Sequence, residues 1–207
     1  MTRRGTGSIG TVAVVLLLVG LAAGGWALWG DGSDAPHTQS VVYADPRLPS
    51  SAQSRETLVT PDGDVVLDST GSLGVIAKAR VLSDADLEVL MPSVATISMR
   101  VARSGELTRG TWLFSPPPGD DVAELTRSID DLYRRSGYQP VPGQHAAVSA
   151  LVLRSSDGQP RQTTYRAHYS TAGGTVRVEA FGPDDTAVAE AFKVLLDRQL
   201  KAAPALG

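Results

Sequence analysis

Four polar side chains on two neighbouring segments near the C-terminus have the types and spacing that acid–base or anion chemistry requires. Segments 161–170 and 175–181 alternate apolar and polar residues, which is typical of half-buried strands. Gly173 and Gly174 between them predict a tight turn, so the two strands form a hairpin. The alternation places the four polar side chains on one face of that hairpin. They are Arg166, His168, Arg177 and Glu179.

With Gly173 and Gly174 as the turn, His168 is expected opposite Glu179. A histidine beside a carboxylate can hold a raised pKa and move protons near neutral pH. The alternative is an exposed cross-strand pair that stabilises the hairpin by less than about 1 kcal/mol. If no helix covers this face, the two arginines make it a mildly basic patch that suits an anionic ligand or an acidic protein surface. The four residues are therefore the candidate binding site.

The elements that must position this hairpin start at residue 94. Residues 94–103 and 107–114 alternate around Ser104 and Gly105, which predicts a second hairpin with those two residues as its turn. Residues 146–154 form a largely apolar run that is typical of a central strand.

Two amphipathic helices accompany these strands. Asp121, followed three residues later by Glu124, predicts a capping box that starts a helix over 121–136. Gly137 sits where a left-handed residue closes such a helix. A second helical pattern covers residues 185–201.

From residue 94 the order is therefore strand, strand, helix, strand, strand, strand, helix. Runs of adjacent strands favour an α+β fold, in which an antiparallel sheet has its helices packed on one face. Further upstream, 65–67 and 75–81 are predicted as short strands, and Ser83 is predicted to cap a short helix that Pro92 ends.

A long apolar segment near the N-terminus predicts where this domain lies. Residues 9–29 carry no charge, and a run of about 20 apolar residues is what crosses a bilayer as a helix. Arg3 and Arg4 precede the run, and Asp31 and Asp34 follow it. This charge asymmetry predicts a cytoplasmic N-terminus and an extracytoplasmic remainder.

Small residues within this segment support two further interpretations. Gly25 and Ala27 resemble the small residues before a signal-peptide cleavage site, although the apolar run is long for a signal peptide. Gly20 and Gly24 form a GxxxG pattern, across which two membrane helices can approach closely, so they are candidate residues for homodimerisation.

Composition narrows the classes of function. The net charge is −3, and an acidic surface argues against nucleic acid as a partner. The chain has no cysteine, which excludes disulfides, thiol catalysis and cysteine-based zinc sites. Its cations are mostly arginine, which we interpret as the bias of a GC-rich, bacterial genome. The predicted organisation is a cytoplasmic N-terminus (1–8), a transmembrane signal-anchor helix (9–29), a flexible extracytoplasmic stalk (30–60) and an extracytoplasmic α+β domain (61–203).

The motifs of common catalytic sites are missing from the sequence. It has no HExxH, GxSxG, P-loop or calcium-loop pattern, so no metal and no cofactor are expected. The sequence therefore predicts a non-catalytic binding module in the envelope of a bacterial cell, held at the lipid bilayer, with an envelope or membrane protein as partner. One alternative is a membrane-tethered hydrolase or transferase that uses His168 and Glu179. The other is a structural envelope protein that dimerises through its membrane helix.

Overall fold

One antiparallel sheet organises the domain. The computed structural model describes residues 57–78, 82–142, 145–156 and 159–207. Within them the strands are β1 (Asp64–Ser72), β2 (Thr96–Ser104), β3 (Leu107–Ser115), β4 (Gln139–Pro140), β5 (Ser149–Arg154), β6 (Thr163–Thr171) and β7 (Gly174–Gly182). All seven belong to one sheet in the order β1-β2-β3-β7-β6-β5-β4, and every neighbouring pair is antiparallel.

The helices of the described residues are α1 (Leu73–Lys78), α2 (Asp84–Leu90), α3 (Val122–Arg135) and α4 (Asp185–Ala202). The α+β class and the order of elements after residue 94 are confirmed, with the two-residue β4 as an addition. The predicted strand at 75–81 is wrong in its described part, because α1 covers these residues through Lys78. Ser83 does cap α2 as predicted, through a capping box with Asp86.

The prediction that the helices share one face of the sheet is wrong. Helix α4 packs on one face, where Val188, Phe192 and Leu196 meet Val176 and Val178 of β7. Helix α3 packs on the opposite face, against a core that the sheet builds from other residues. These include Ile97, Met99, Trp112, Phe114 and Leu151, together with Leu125, Ile129 and Tyr133 of α3. Strand β7 is therefore buried on both sides along nearly its whole length.

The misassignment has a physical reason. Alternating polar residues in a strand normally mark a face in water. In β6 and β7 the polar residues are instead covered by α3. Arg166 pairs with Glu179 across the two strands, whereas Arg177 and His168 pair with carboxylates of the helices. The alternation therefore gives the correct faces but the wrong environment.

Both hairpin registers differ from the predicted ones by two residues. Ser104 pairs with Leu107, so the first turn is formed by residues 105 and 106. Thr171 pairs with Gly174, so the second turn is formed by residues 172 and 173. A Cβ on Gly174 would lie 2.2 Å from the carbonyl oxygen of Phe114, so a close approach to β3 requires glycine at the strand end. Because side chains alternate with a period of two, this shift leaves each residue on its predicted face.

Both long helices begin at an aspartate that caps them. Asp121 accepts hydrogen bonds from the backbone of Ala123 and Glu124, and Asp184 accepts from Thr186 and Ala187. After α3, Gly137 adopts a left-handed conformation with φ of 92°, as the sequence predicts.

The predicted transmembrane segment 9–29, including Gly20 and Gly24, lies outside the described residues, as does almost all of the predicted stalk. Among the helices that the structure describes, none has the length and apolar character needed to cross a membrane.

Candidate functional site

Asp86 is the centre of a polar network buried between the sheet and the α2–α3 layer. It lies in the first turn of α2, where the Ser83 hydroxyl donates to its Oδ2 at 2.7 Å and accepts from its backbone N–H at 3.1 Å. Its Oδ1 accepts from the Tyr133 hydroxyl and from Nη2 of Arg177, the latter at 2.8 Å. Asp86 is only 5% exposed, so these donors replace the water that its charge has lost.

Arg177 projects from β7 and holds its charge between a carboxylate and two aromatic rings. Its guanidinium carbon lies 4.8 Å from the ring centroid of Phe114 and 5.1 Å from that of Tyr133. Burial by itself raises the pKa of Asp86, but the Arg177 and Arg166 cations outweigh burial and hold that pKa well below its usual range. Asp86 and Arg177 are therefore an ionised pair at neutral pH.

A second ion pair lies beside the first on the same face of the sheet. Nε of Arg166 on β6 donates to Oε2 of Glu179 on β7 at 2.9 Å. The Arg166 guanidinium stands 4.4 Å from the Tyr133 ring centroid and 5.4 Å from that of Tyr138. Burial raises the pKa of Tyr133, so its hydroxyl stays protonated and donates to Asp86. Tyr133 thereby connects the two ion pairs.

His168 is the third part of the network and is fully buried. Its ring stacks on Tyr133 with centroids 5.2 Å apart, and its Nδ1 lies 2.8 Å from Oδ1 of Asp130 on α3. Burial lowers the pKa of His168, so the ring is neutral at neutral pH. Because the carboxylate can only accept, we assign the proton to Nδ1, which leaves Nε2 as an acceptor. Nε2 has no hydrogen-bond partner among the described atoms.

The network reaches solvent at Asp130, in an open cleft of about 340 Å³. One wall is α3, where Thr126, Asp130 and Arg134 follow one another at intervals of one turn. The other wall is formed by residues 146–148 and by Ser149, the first residue of β5, and His168 contributes to the floor. Nη2 of Arg134 reaches across to the Ser149 hydroxyl at 3.5 Å. The cleft thus presents a carboxylate, a guanidinium and a hydroxyl to a small polar ligand.

The hydroxyl group at one end of the cleft already has hydrogen-bond partners within the protein. The Thr126 hydroxyl bonds the backbone carbonyl of Val122 at 2.9 Å and lies 2.9 Å from both the Ser170 and the Thr175 hydroxyls. Ligand contacts are therefore expected from Asp130, Arg134 and Ser149 rather than from this end.

The structure brings all four candidate residues of the sequence together on one face, but in different pairs. His168 lies opposite Arg177 in the sheet, and Arg166 lies opposite Glu179, so the expected His168–Glu179 pair does not form. The condition for an open basic patch, that no helix covers this face, is not met, because α3 covers it. Arg177 and Glu179 are 2% and 6% exposed.

Three residues that complete the network are not visible as candidates in the sequence. Asp86 lies 91 positions from Arg177 and looks like a simple capping residue. Asp130 lies 38 positions from His168 and looks like part of the exposed side of α3. Tyr133 belongs to the apolar stripe of α3 and gives no sign of its polar role. The sequence offers an indirect signal for them. Each cation in the strands needs a carboxylate partner once it is buried, so carboxylates elsewhere in the chain are implied.

The described residues contain no group of three or more histidine and acidic side chains that could hold a metal ion. Comparison with protein-family models gives no match, and the chain matches no curated protein.

Proposed function

We propose that this chain is a single-pass, extracytoplasmic binding module of a bacterial cell envelope, without catalytic activity of its own. Its membrane anchor is the apolar segment 9–29, and its α+β domain captures an envelope or membrane partner. Anchoring supports this role because two molecules in one membrane meet at a high effective concentration.

The ligand site of this proposal is the cleft between α3 and β5. The observation that carries this proposal is how Arg134 is paired. This exposed cation lies one turn from Asp130, where opposite charges commonly pair along a helix. Among the described residues Arg134 nevertheless forms no ion pair, because Asp130 turns to His168 and Arg134 turns to Ser149. An anionic group of the partner would satisfy Arg134 together with the Ser149 hydroxyl.

The buried network supports the cleft by fixing its floor. His168 is held by Asp130 and by the Tyr133 ring, and Tyr133 is held in turn by Asp86. A site whose side chains are already oriented loses less conformational entropy when a ligand binds. The candidate residues Arg166, His168, Arg177 and Glu179 thus act behind the cleft rather than as an exposed surface.

The location is tested with single cysteines, since the chain has none of its own. In intact cells expressing full-length Thr2→Cys or Ser33→Cys, a membrane-impermeant maleimide is expected to label only the second variant. Thr2→Cys is expected to react once the cells are lysed. Labelling of both variants in intact cells would contradict the predicted orientation.

The cleft is tested by photocrosslinking in the same membranes. A benzophenone maleimide on Ala147→Cys, in the cleft wall, is expected to yield a defined adduct. The same label on Val194→Cys, which is 52% exposed on α4, serves as the control position. Arg134→Glu is expected to abolish the Ala147 adduct, whereas Arg135→Glu, one residue outside the lining, leaves it. An adduct that survives Arg134→Glu would refute the cleft as the binding site.

A membrane-tethered hydrolase or transferase remains the second candidate, and the Asp130–His168 pair favours it. A neutral histidine with its Nδ1–H on a carboxylate has the tautomer of a general base, with Nε2 as the acceptor, although Nε2 is buried in this structure. Its partner in this chemistry would be Asp130 in place of the Glu179 expected from the sequence. If the Asp130→Asn variant catalysed a hydrolysis or transfer reaction at the wild-type rate, this mechanism would be ruled out.

A third candidate is a structural envelope protein that dimerises through Gly20 and Gly24. In membranes, cysteine crosslinking is expected to capture a dimer of the chain with Gly20 and Gly24 intact, but no dimer of the double variant Gly20→Leu, Gly24→Leu. A dimer that persists in this double variant would remove the GxxxG pattern from the proposal.

A further inference from the structure

The two edges of the sheet differ in how they are protected from another strand. Strand β4 ends one edge with only two residues, and one of these is Pro140, which has no N–H to offer. Strand β1 ends the other edge with nine residues, and no described strand pairs with its outer side. Long, unpaired edge strands are templates for strand addition.

Exposed apolar side chains lie along this β1 edge. Val65 and Val66 of β1 are 40% and 39% exposed, and Val75 of α1 is 44% exposed. Val75 belongs to this edge, since a Cβ built on Gly71 of β1 would lie 3.9 Å from Cγ1 of Val75. An added strand that pairs with residues 67–72 would cover Val75, whereas Val65 and Val66 precede that stretch.

The two faces of the edge have different chemistry. Leu67 lies on the α1 face and packs against the core there, whereas Asp68 lies on the other face. The Asp68 side chain is 44% exposed, and its ion-pair contact among the described residues is a long one with Arg100, at 3.7 Å. Asp64 lies on the Leu67 face, directly opposite Arg103, so Asp68 is the acidic residue of β1 on the other face. A segment that alternates apolar and basic residues therefore matches both faces at once.

An irregularity sets where such a segment can pair. The register between β1 and β2 shifts between Val65 and Leu67, and Val66 has no partner on β2. This bulge bends the first residues of β1. The regular stretch is 67–72, which is long enough for the main-chain hydrogen bonds of a bound peptide.

We infer that the outer edge of β1 binds an extended, basic segment of a partner protein, which adds an eighth strand to the sheet. This interaction surface lies on strand β1, outside the cleft lining, and does not depend on the function proposed for the cleft.

The test uses the full-length chain in detergent and a fluorescent seven-residue peptide that alternates lysine and valine. Fluorescence anisotropy is expected to show binding that weakens about tenfold in Asp68→Lys, since the attraction becomes repulsion. Asp131→Lys reverses an exposed charge on α3 and is expected to bind like the wild type. Hydrogen exchange of amides in 67–72 is expected to slow when the peptide is bound.

Three results would overturn the inference. The first is equal or stronger binding of a glutamate–valine peptide, and the second is absence of binding by the lysine–valine peptide. The third is a dimer without peptide that Asp68→Lys dissociates, which would make a second copy the occupant. Tenfold weaker binding in Asp68→Lys, together with slowed exchange in 67–72, establishes the basic segment. When Asp68→Lys is combined with the labelled Ala147→Cys variant, the cleft adduct should still form, which distinguishes this surface from the cleft.

Discussion

The two faces of this sheet are covered by helices in opposite chemical ways. Under α4 the contact is apolar, with Val188, Phe192, Leu195 and Leu196 packed on valine and alanine side chains of β7. Under α3 an apolar core surrounds two ion pairs and a histidine–carboxylate pair. Burial of apolar area stabilises without fixing direction, whereas each buried charge requires one particular partner in one position. The α4 face is therefore expected to supply stability, and the α3 face to fix how α2 and α3 sit on the sheet.

A buried polar side chain under α4 has a different role from the charges under α3. Gln199 is fully buried, and its side chain accepts from the backbone N–H of Val59 and donates to the carbonyl of Thr57. Its partners are backbone groups of the chain that enters the domain, not a charged side chain. Loss of Gln199 would remove these two hydrogen bonds but would leave no buried charge.

The largest effect is expected from breaking the Asp86–Arg177 pair. Arg177→Ala leaves a buried carboxylate without its cation, which costs about 4 kcal/mol of unfolding free energy. Urea unfolding of the full-length chain in detergent, followed by circular dichroism, measures the loss.

A double variant sharpens this result. Asp86→Leu with Arg177→Met removes both charges and is expected to be more stable than Arg177→Ala alone. If the double variant is as unstable as the sum of its two single variants, the pair is not coupled and the contrast between the faces fails.

A smaller loss is expected from the apolar face. Phe192→Ala removes a side chain that is 2% exposed and is expected to cost about 3 kcal/mol through lost transfer energy and a cavity. This loss should be the same at pH 7 and at pH 5, because the substitution removes no titratable group. Val194→Ala, on the exposed side of α4, is the matched control and should change stability by less than about 0.5 kcal/mol. A strong pH dependence in Phe192→Ala would show that the α4 face is coupled to the network.

Acid pH should lower the unfolding free energy through His168, which lies on the α3 face of the sheet. Its pKa in the folded state is lowered from the ordinary 6.5, so below that pH the unfolded chain binds a proton that the folded chain rejects. Stability is thus fully present above about pH 6.5 and falls with pH until the lowered pKa is reached, with a slope of at most about 1.4 kcal/mol per pH unit.

His168→Gln should remove this slope between pH 6.5 and pH 5, whatever its stability at pH 7. His145→Gln changes a solvent-exposed histidine and should keep the wild-type slope. Unfolding free energies measured at several pH values decide between them. A wild-type slope in His168→Gln would assign the acid sensitivity to another group.

The contrast between the faces also explains which features the sequence predicts. The helices α3 and α4 follow from local signals, namely the caps Asp121 and Asp184 and the apolar spacing after each. The side of the sheet that each helix covers depends on long-range pairing. Arg177 meets a carboxylate 91 positions away, and no local pattern records that contact. The candidate residues in β6 and β7 were therefore predictable as a group, but their burial and their partners were not.

The smallest effect is expected at the two helix caps, and it tests whether the contrast lies in the buried layers alone. Asp121 and Asp184 make equivalent pairs of hydrogen bonds at the starts of α3 and α4. Asp121→Ala and Asp184→Ala should each cost about 1 kcal/mol, since both free the same kind of backbone donors. Equal losses in urea unfolding would mean that the helices themselves contribute alike. A much larger loss in Asp121→Ala would mean that the start of α3 is itself needed to hold the network, because Asp130 and Tyr133 lie on the same helix.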